Sequence, residues 1–208
     1  MVKINAALIL VDLQNDFCAG GSLAVPEGDA VIALANQLQT HFQWIIATQD
    51  WHTRDHSSFA SNHPGKKIGD VIDLNGIEQI LWPDHCVQGT KGAALHPDLA
   101  TSGIQKIFFK GSDKHIDSYS AFYDNAHLRD TGLAAYLKEN GIQIIYIMGL
   151  ATDYCVKYTC IDGVKLGFET YVIADGCRGV ELHSGDIDHA FREMHDQGVK
   201  MIGSGDIL

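Results

Sequence analysis

The sequence predicts an α/β fold: a three-layer sandwich with a central, mostly parallel six-stranded sheet, helices on both faces and a cap that carries metal ligands. Two observations lead there. Apolar, β-branched runs alternate with segments of helical period, the pattern of βαβ units. Four of those runs also end at residues able to do chemistry: ALILVD at Asp12, WIIATQDWH at Asp50 and His52, KIFFK at Lys110, and IIYIMGLATDYC at Cys155. In an open parallel sheet the ligand crevice lies beyond the carboxyl ends of the strands, so residues far apart in sequence meet there.

The elements follow in order. The first strand is Ala7 to Asp12. After the turn AGGS, the segment PEGDAVIALANQLQTHF puts Val31, Leu34, Ala35 and Leu38 at i, i+3, i+4 and i+7, a helix with one buried stripe. Trp44 to Thr48 is the second strand and Lys106 to Lys110 the third; a helix over Leu133 to Asn140 ends at Gly141. Ile142 to Met148 has too many consecutive apolar residues for a half-exposed strand and is therefore central. A helix with Val156, Cys160 and Val164 on one face follows it. Thr170 to Ile173, a helix over Ile187 to Asp196, and VKMIG complete the alternation. Residues 52–103 do not fit it, being rich in His, Asp, Gly and Pro with one short apolar piece, IEQILW. So long an irregular stretch is usually functional, and it is expected to cap the crevice of a single domain spanning 1–208.

Composition narrows the partners. A formal net charge of -11 argues against nucleic acid and anionic membranes, which need a basic surface. No apolar run reaches the roughly 20 residues that span a bilayer, and MVKINAALILVD enters a strand where a signal peptide would have a cleavage site. Five cysteines without CxxC spacing indicate a reducing compartment. The expectation is a cytoplasmic protein acting on a small molecule.

Cys155 is the candidate nucleophile. It lies where a strand turns into a helix, with Thr152 or Asp153 as N-cap, so free N–H groups and the helix dipole favour a thiolate. A thiolate fully formed at neutral pH needs its pKa lowered by about two units, roughly 2.7 kcal/mol, whereas the dipole supplies about 0.3 to 1. Lys110 is the natural additional charge and Asp12 the natural proton acceptor. Moving a proton from an ordinary thiol to an ordinary aspartate is uphill by roughly 6 kcal/mol. Asp12 must therefore be desolvated enough to raise its pKa.

Asp50 and His52 form the second constellation, since positions i and i+2 of an extended strand face the same side and can grip one ion. His85, in WPDHCVQG, is the third ligand; His56 is near enough in sequence to be another. Such borderline-to-hard donors suit one divalent ion, Zn first, with Fe or Mn open.

VDLQNDFCAGGSLAV, ATQDWH, WPDHCVQGT, FKG, SYSAF and GLATDYCV, in this order, resemble the nicotinamidases among the isochorismatase-like cysteine hydrolases. The resemblance runs from about Ala6 to Val180. It implies Asp12, Lys110 and Cys155 as catalytic triad, Asp50, His52 and His85 as metal ligands, and a cis peptide at Leu150 and Ala151. The N–H groups of Ala151 and Cys155 would form the oxyanion hole. The implied activity is hydrolysis of nicotinamide to nicotinate and ammonia through a thioester, with the metal anchoring the pyridine nitrogen and Phe17, Trp82 and Tyr119 against the ring. A relative acting on another small amide, or a hydrolase using metal-bound water, are the rival expectations.

Overall fold

The structure, a computed structural model, describes residues 3–74 and 76–208. Six strands form the main sheet: β1 (Lys3–Val11), β2 (Phe42–Asp50), β5 (Lys106–Lys110), β6 (Ile144–Leu150), β7 (Glu169–Arg178) and β8 (Lys200–Ile202). A hairpin of β3 (Val71–Leu74) and β4 (Ile77–Ile80) stands apart from it. The main sheet has the order β5-β2-β1-β6-β7-β8, with parallel pairing throughout. The helices are α1 (Ala30–Gln39), α2 (Leu133–Glu139), α3 (Lys157–Lys165) and α4 (Asp186–Asp196).

From β1 the chain moves outward through β2 to β5, then returns to start β6 on the other side of β1 and moves outward again to β8. Because parallel crossovers are right-handed, α1 covers one face and the later helices cover the other; α1 and α3 both pack on β7. The seam between β1 and β6 is thus the point where strand order reverses, where such sheets bind ligands.

Burial explains why the strands occur where they do. Leu8, Ile9 and Leu10 of β1 and Ile145, Ile147 and Met148 of β6 are wholly buried, as central parallel strands with both faces covered must be. Each such side chain contributes about 1.5–3 kcal/mol. Edge strand β5 alternates instead, exposing Ile107 and Phe109 while burying Phe108 and Lys110.

Two strands run well beyond their sequence-based limits. β2 extends to Asp50, and β7 continues past Ile173 to Arg178. Ala174-Asp175-Gly176 reads as a turn, but the register shifts there, from Ile147 opposite Val172 to Gly149 opposite Cys177, so the sheet absorbs these residues as a bulge. The segment 52–103 holds the β3–β4 hairpin, turns and isolated bridges between His52 and Val87 and between Phe59 and Trp82. Among the described residues no helix is long and apolar enough to cross a membrane.

Candidate active site at the seam of the sheet

Asp12 is the first residue beyond β1 and is wholly buried. Its φ of 51° is left-handed, a conformation that aspartate tolerates better than most residues. Lys110 closes β5 with its ammonium 2.8 Å from Asp12 Oδ2, 3.0 Å from Asp50 Oδ1 and 3.3 Å from Cys155 Sγ; it also donates to the Ser118 carbonyl at 3.0 Å. Cys155 follows β6 in a π-helical turn, Thr152–Val156, that runs directly into α3. Such turns are frequent at functional sites. The acid, the cation and the thiol that the sequence places at three strand ends therefore meet in space.

Two local details differ from, or complete, the sequence reading. Neither Thr152 nor Asp153 caps the turn. Asp153 instead accepts the N–H groups of Val180 and Glu181 at 3.0 and 2.7 Å, tying the turn to the segment after β7. The Leu150–Ala151 peptide is cis. Gly149 has a φ of 130°, and a Cβ there would collide with the Val11 carbonyl, so only glycine lets β6 pass β1 this closely.

Electrostatics follow from burial. Burial raises the Asp12 pKa, against the downward pull of Lys110, so the carboxyl is a better proton acceptor than an ordinary aspartate. Burial also pushes the Cys155 thiol well up, and Lys110 only partly offsets this. Burial would lower Lys110, but Asp12, Asp50 and Cys155 together hold it well above the ordinary lysine value. In this state the thiol keeps its proton next to a carboxylate suited to receive it, which replaces the fully formed thiolate as the resting picture.

On the other side of the cavity, Asp50, His52 and His85 bring one donor atom each within 4.8 Å of one another, and all three are buried. His52 Nε2 and His85 Nε2 lie 3.0 and 3.4 Å from Asp50 Oδ2. The other ring nitrogens face backbone carbonyls, His52 Nδ1 at 2.8 Å from Gly111 and His85 Nδ1 at 2.8 Å from Pro83. Both rings thus donate through Nδ1 and aim Nε2 at Asp50 Oδ2, where burial would lower the His52 pKa but Asp50 raises it; with a metal in place the same orientation would present both Nε2 atoms as ligands. Gly111, at φ 62°, is required here because a Cβ would lie 2.8 Å from His52 Nδ1. The donor set fits a divalent ion such as zinc.

His56 is different. Its Nδ1 lies 2.7 Å from Ser58 Oγ and accepts the Ser58 N–H at 3.2 Å, while Nε2 is a buried atom without a hydrogen-bond partner. Burial and the neighbouring His52 hold its pKa down to about 4. The ring lies beside the candidate metal cluster, and with His52 and Asp117 it forms a second buried group whose donor atoms lie within 4.8 Å of one another.

Phe17, Trp82 and Tyr119 line one cavity with Cys155, Asp50 and His85. Trp82 Nε1 donates to Tyr119 Oη at 3.1 Å, fixing the two rings relative to each other. Sequence reasoning did not single out Leu23, Asp117, Tyr154 and Val180, which line the cavity as well. It also passed over Gln14, whose side-chain amide bridges the backbone of Asp50, donating to the carbonyl and accepting from the N–H, both at 2.8 Å.

With the geometry in place, comparison with known proteins is decisive. The family profile described as Isochorismatase domain matches residues 6–206. The chain belongs to that family. Within it, a nicotinamidase from Acinetobacter baylyi is 51% identical over 204 residues, covering 98% of this chain and 95% of the relative. A solved Acinetobacter baumanii nicotinamidase/pyrazinamidase superposes with a TM-score of 0.96 at 49% identity, covering 99% of both chains. A pyrazinamidase of Pyrococcus horikoshii, solved in complex with zinc, superposes with a TM-score of 0.77 at 36% identity over 96% of this chain and 99% of that one.

Proposed function

We propose that this isochorismatase-family chain is a nicotinamidase, hydrolysing nicotinamide to nicotinate and ammonia through a thioester on Cys155. One observation carries the reading: a single cavity is lined by the Cys155 nucleophile, by Asp50 and His85 of a metal-ligand cluster, and by aromatic rings suited to a flat substrate. The names of the relatives at about half identity agree with it.

Asp50, His52 and His85 would hold the ion, zinc in the first instance, with iron or manganese open to metal analysis. When bound, that ion supplies a Lewis-acidic anchor for the pyridine nitrogen. The protein's own residues do the rest. Phe17, Trp82 and Tyr119 hold the ring plane, so the carboxamide carbon faces Cys155. Asp12 takes the thiol proton as sulfur bonds to that carbon, and Lys110 stabilises the negative charge shared between them. The N–H groups of Ala151 and Cys155 hold the oxyanion, each worth about 3–4 kcal/mol. Asp12 then gives its proton to the amide nitrogen, which leaves as ammonia. Water cleaves the thioester, with Asp12 accepting its proton and returning one to sulfur.

The reading places the chain in NAD salvage in the cytoplasm, in keeping with five cysteines that are all free and buried. The test is ammonia release from nicotinamide by purified, metal-loaded protein, together with mass spectrometry after treatment with a nicotinamide-like aldehyde or nitrile. Modification at Cys155 is expected. Modification at Cys86 or Cys160, or turnover that survives Cys155→Ala, would overturn the mechanism.

A further inference from the structure

We propose that Thr48 is a positioning residue for the base: its hydroxyl holds one oxygen and the backbone N–H of Asp12, leaving the other carboxylate oxygen, paired with Lys110, to exchange the proton with Cys155. The proposal rests on the reading of Asp12 as proton carrier given above.

The geometry is reciprocal. Thr48 Oγ1 donates to Asp12 Oδ1 at 2.6 Å and accepts the Asp12 N–H at 3.1 Å. A hydroxyl has one proton and two lone pairs, so this one spends its single proton on the carboxylate. Lys110 takes the opposite oxygen, Oδ2. Asp12 is thereby held at three points, its N–H and both oxygens, in a left-handed backbone conformation just past the strand end. Thr48 itself is wholly buried in β2, two residues before Asp50, and does not line the cavity of Cys155. Its hydroxyl reaches the chemistry through Asp12.

The consequence lies in proton handling. The terminal torsion of an aspartate is broad and roughly two-fold, so an unanchored carboxyl can exchange its oxygens. Proton transfer needs one fixed oxygen: Cys155 Sγ–H to Oδ2 as the S–C bond forms, then Oδ2–H to the amide nitrogen as the C–N bond breaks. Thr48 removes the exchange. Its bond also favours the charged carboxylate, against burial and against Asp50 of β2, alongside Lys110 of β5. Cys155 of the π-turn and Cys86 of the segment before β5 are the thiols within the Asp12 field. Losing the hydroxyl removes a force that keeps Asp12 ionised, so Asp12 would protonate at a higher pH.

Thr48→Val keeps the shape and deletes the hydroxyl; Thr48→Ser restores it. Both are to be compared with wild type as metal-loaded proteins, by kcat and KM for nicotinamide across pH and by the pH dependence of Cys155 alkylation by iodoacetamide without substrate. Thr48→Val is expected to lower kcat about tenfold or more, a fraction of what a general base supplies, with KM little changed. The acid limb of both profiles should move to higher pH, and Thr48→Ser should return both to wild type. An acid limb unmoved in Thr48→Val, even with a lower melting temperature, would leave Thr48 a packing residue and overturn the proposal. So would failure of Thr48→Ser to rescue. If wild-type protein releases no ammonia, the nicotinamidase reading falls, while the alkylation profiles still decide the role of Thr48.

Discussion

The two walls of the cavity are built by different means. The thiol wall hangs on parallel strand ends: Asp12 after β1, Lys110 closing β5 and Cys155 after β6, each placed by the register of a buried sheet. The metal wall takes only Asp50 from a strand of that sheet. His52 and His85 lie in irregular chain, steered by carbonyls of Gly111 and Pro83, while Gln14 bridges the Asp50 backbone and Asp16 accepts the N–H of Cys86 at 2.7 Å. One wall gets its precision from backbone pairing and the other from individual polar contacts, so the two should fail separately.

The largest expected effect breaks the thiol wall alone. Cys155→Ala should lower ammonia release by about 10⁴-fold or more, as loss of a covalent nucleophile does, while metal content measured by mass spectrometry stays at the wild-type level. Loss of metal in this variant would show that the walls are not independent. Next is Lys110→Met, which strikes the residue the walls share. It leaves Asp12 and Asp50 buried without their cation, and removing one partner of a buried ion pair costs about 3–5 kcal/mol. Chemical denaturation of the metal-free protein should show that loss; unchanged stability would mean that the network is not formed. A smaller effect belongs to the metal wall. Asp16→Ala frees the chain next to His85 and should weaken metal binding about 10–100-fold, as loss of outer-shell support typically does, without slowing alkylation of Cys155. Smallest is Tyr119→Phe. The Trp82 indole N–H loses its acceptor, and stability should fall by about 1 kcal/mol, with KM rising more than kcat falls.

The same contrast explains what was legible in the sequence. Strand ends are marked by hydrophobic runs, so Asp12, Asp50, Lys110 and Cys155 could be found by reading where those runs stop. Register then brings them together without further information. The π-turn was not legible, because TDYCV has the composition of an ordinary helix start, and the Asp153 contacts that tie it to Val180 and Glu181 are remote in sequence. The continuation of β7 through Asp175 and Gly176 was hidden by residues that normally signal a turn. His85 was chosen from its residue type and loop, and the family resemblance supported it; the orientation of His56 follows from local contacts to the Ser58 hydroxyl and N–H that no periodicity encodes. Thr48 sits inside an apolar strand, where its hydroxyl reads as a tolerated substitution until its partner is seen.

The contact between Gly149 and the Val11 carbonyl has a practical corollary for redesign. Where two central strands touch through bare backbone there is no slack, so reactivity is welded into the scaffold. Selection for a bulkier amide should therefore recover changes at Phe17, Leu23, Trp82, Tyr119, Tyr154 and Val180, and leave the glycine at 149 untouched in every surviving clone.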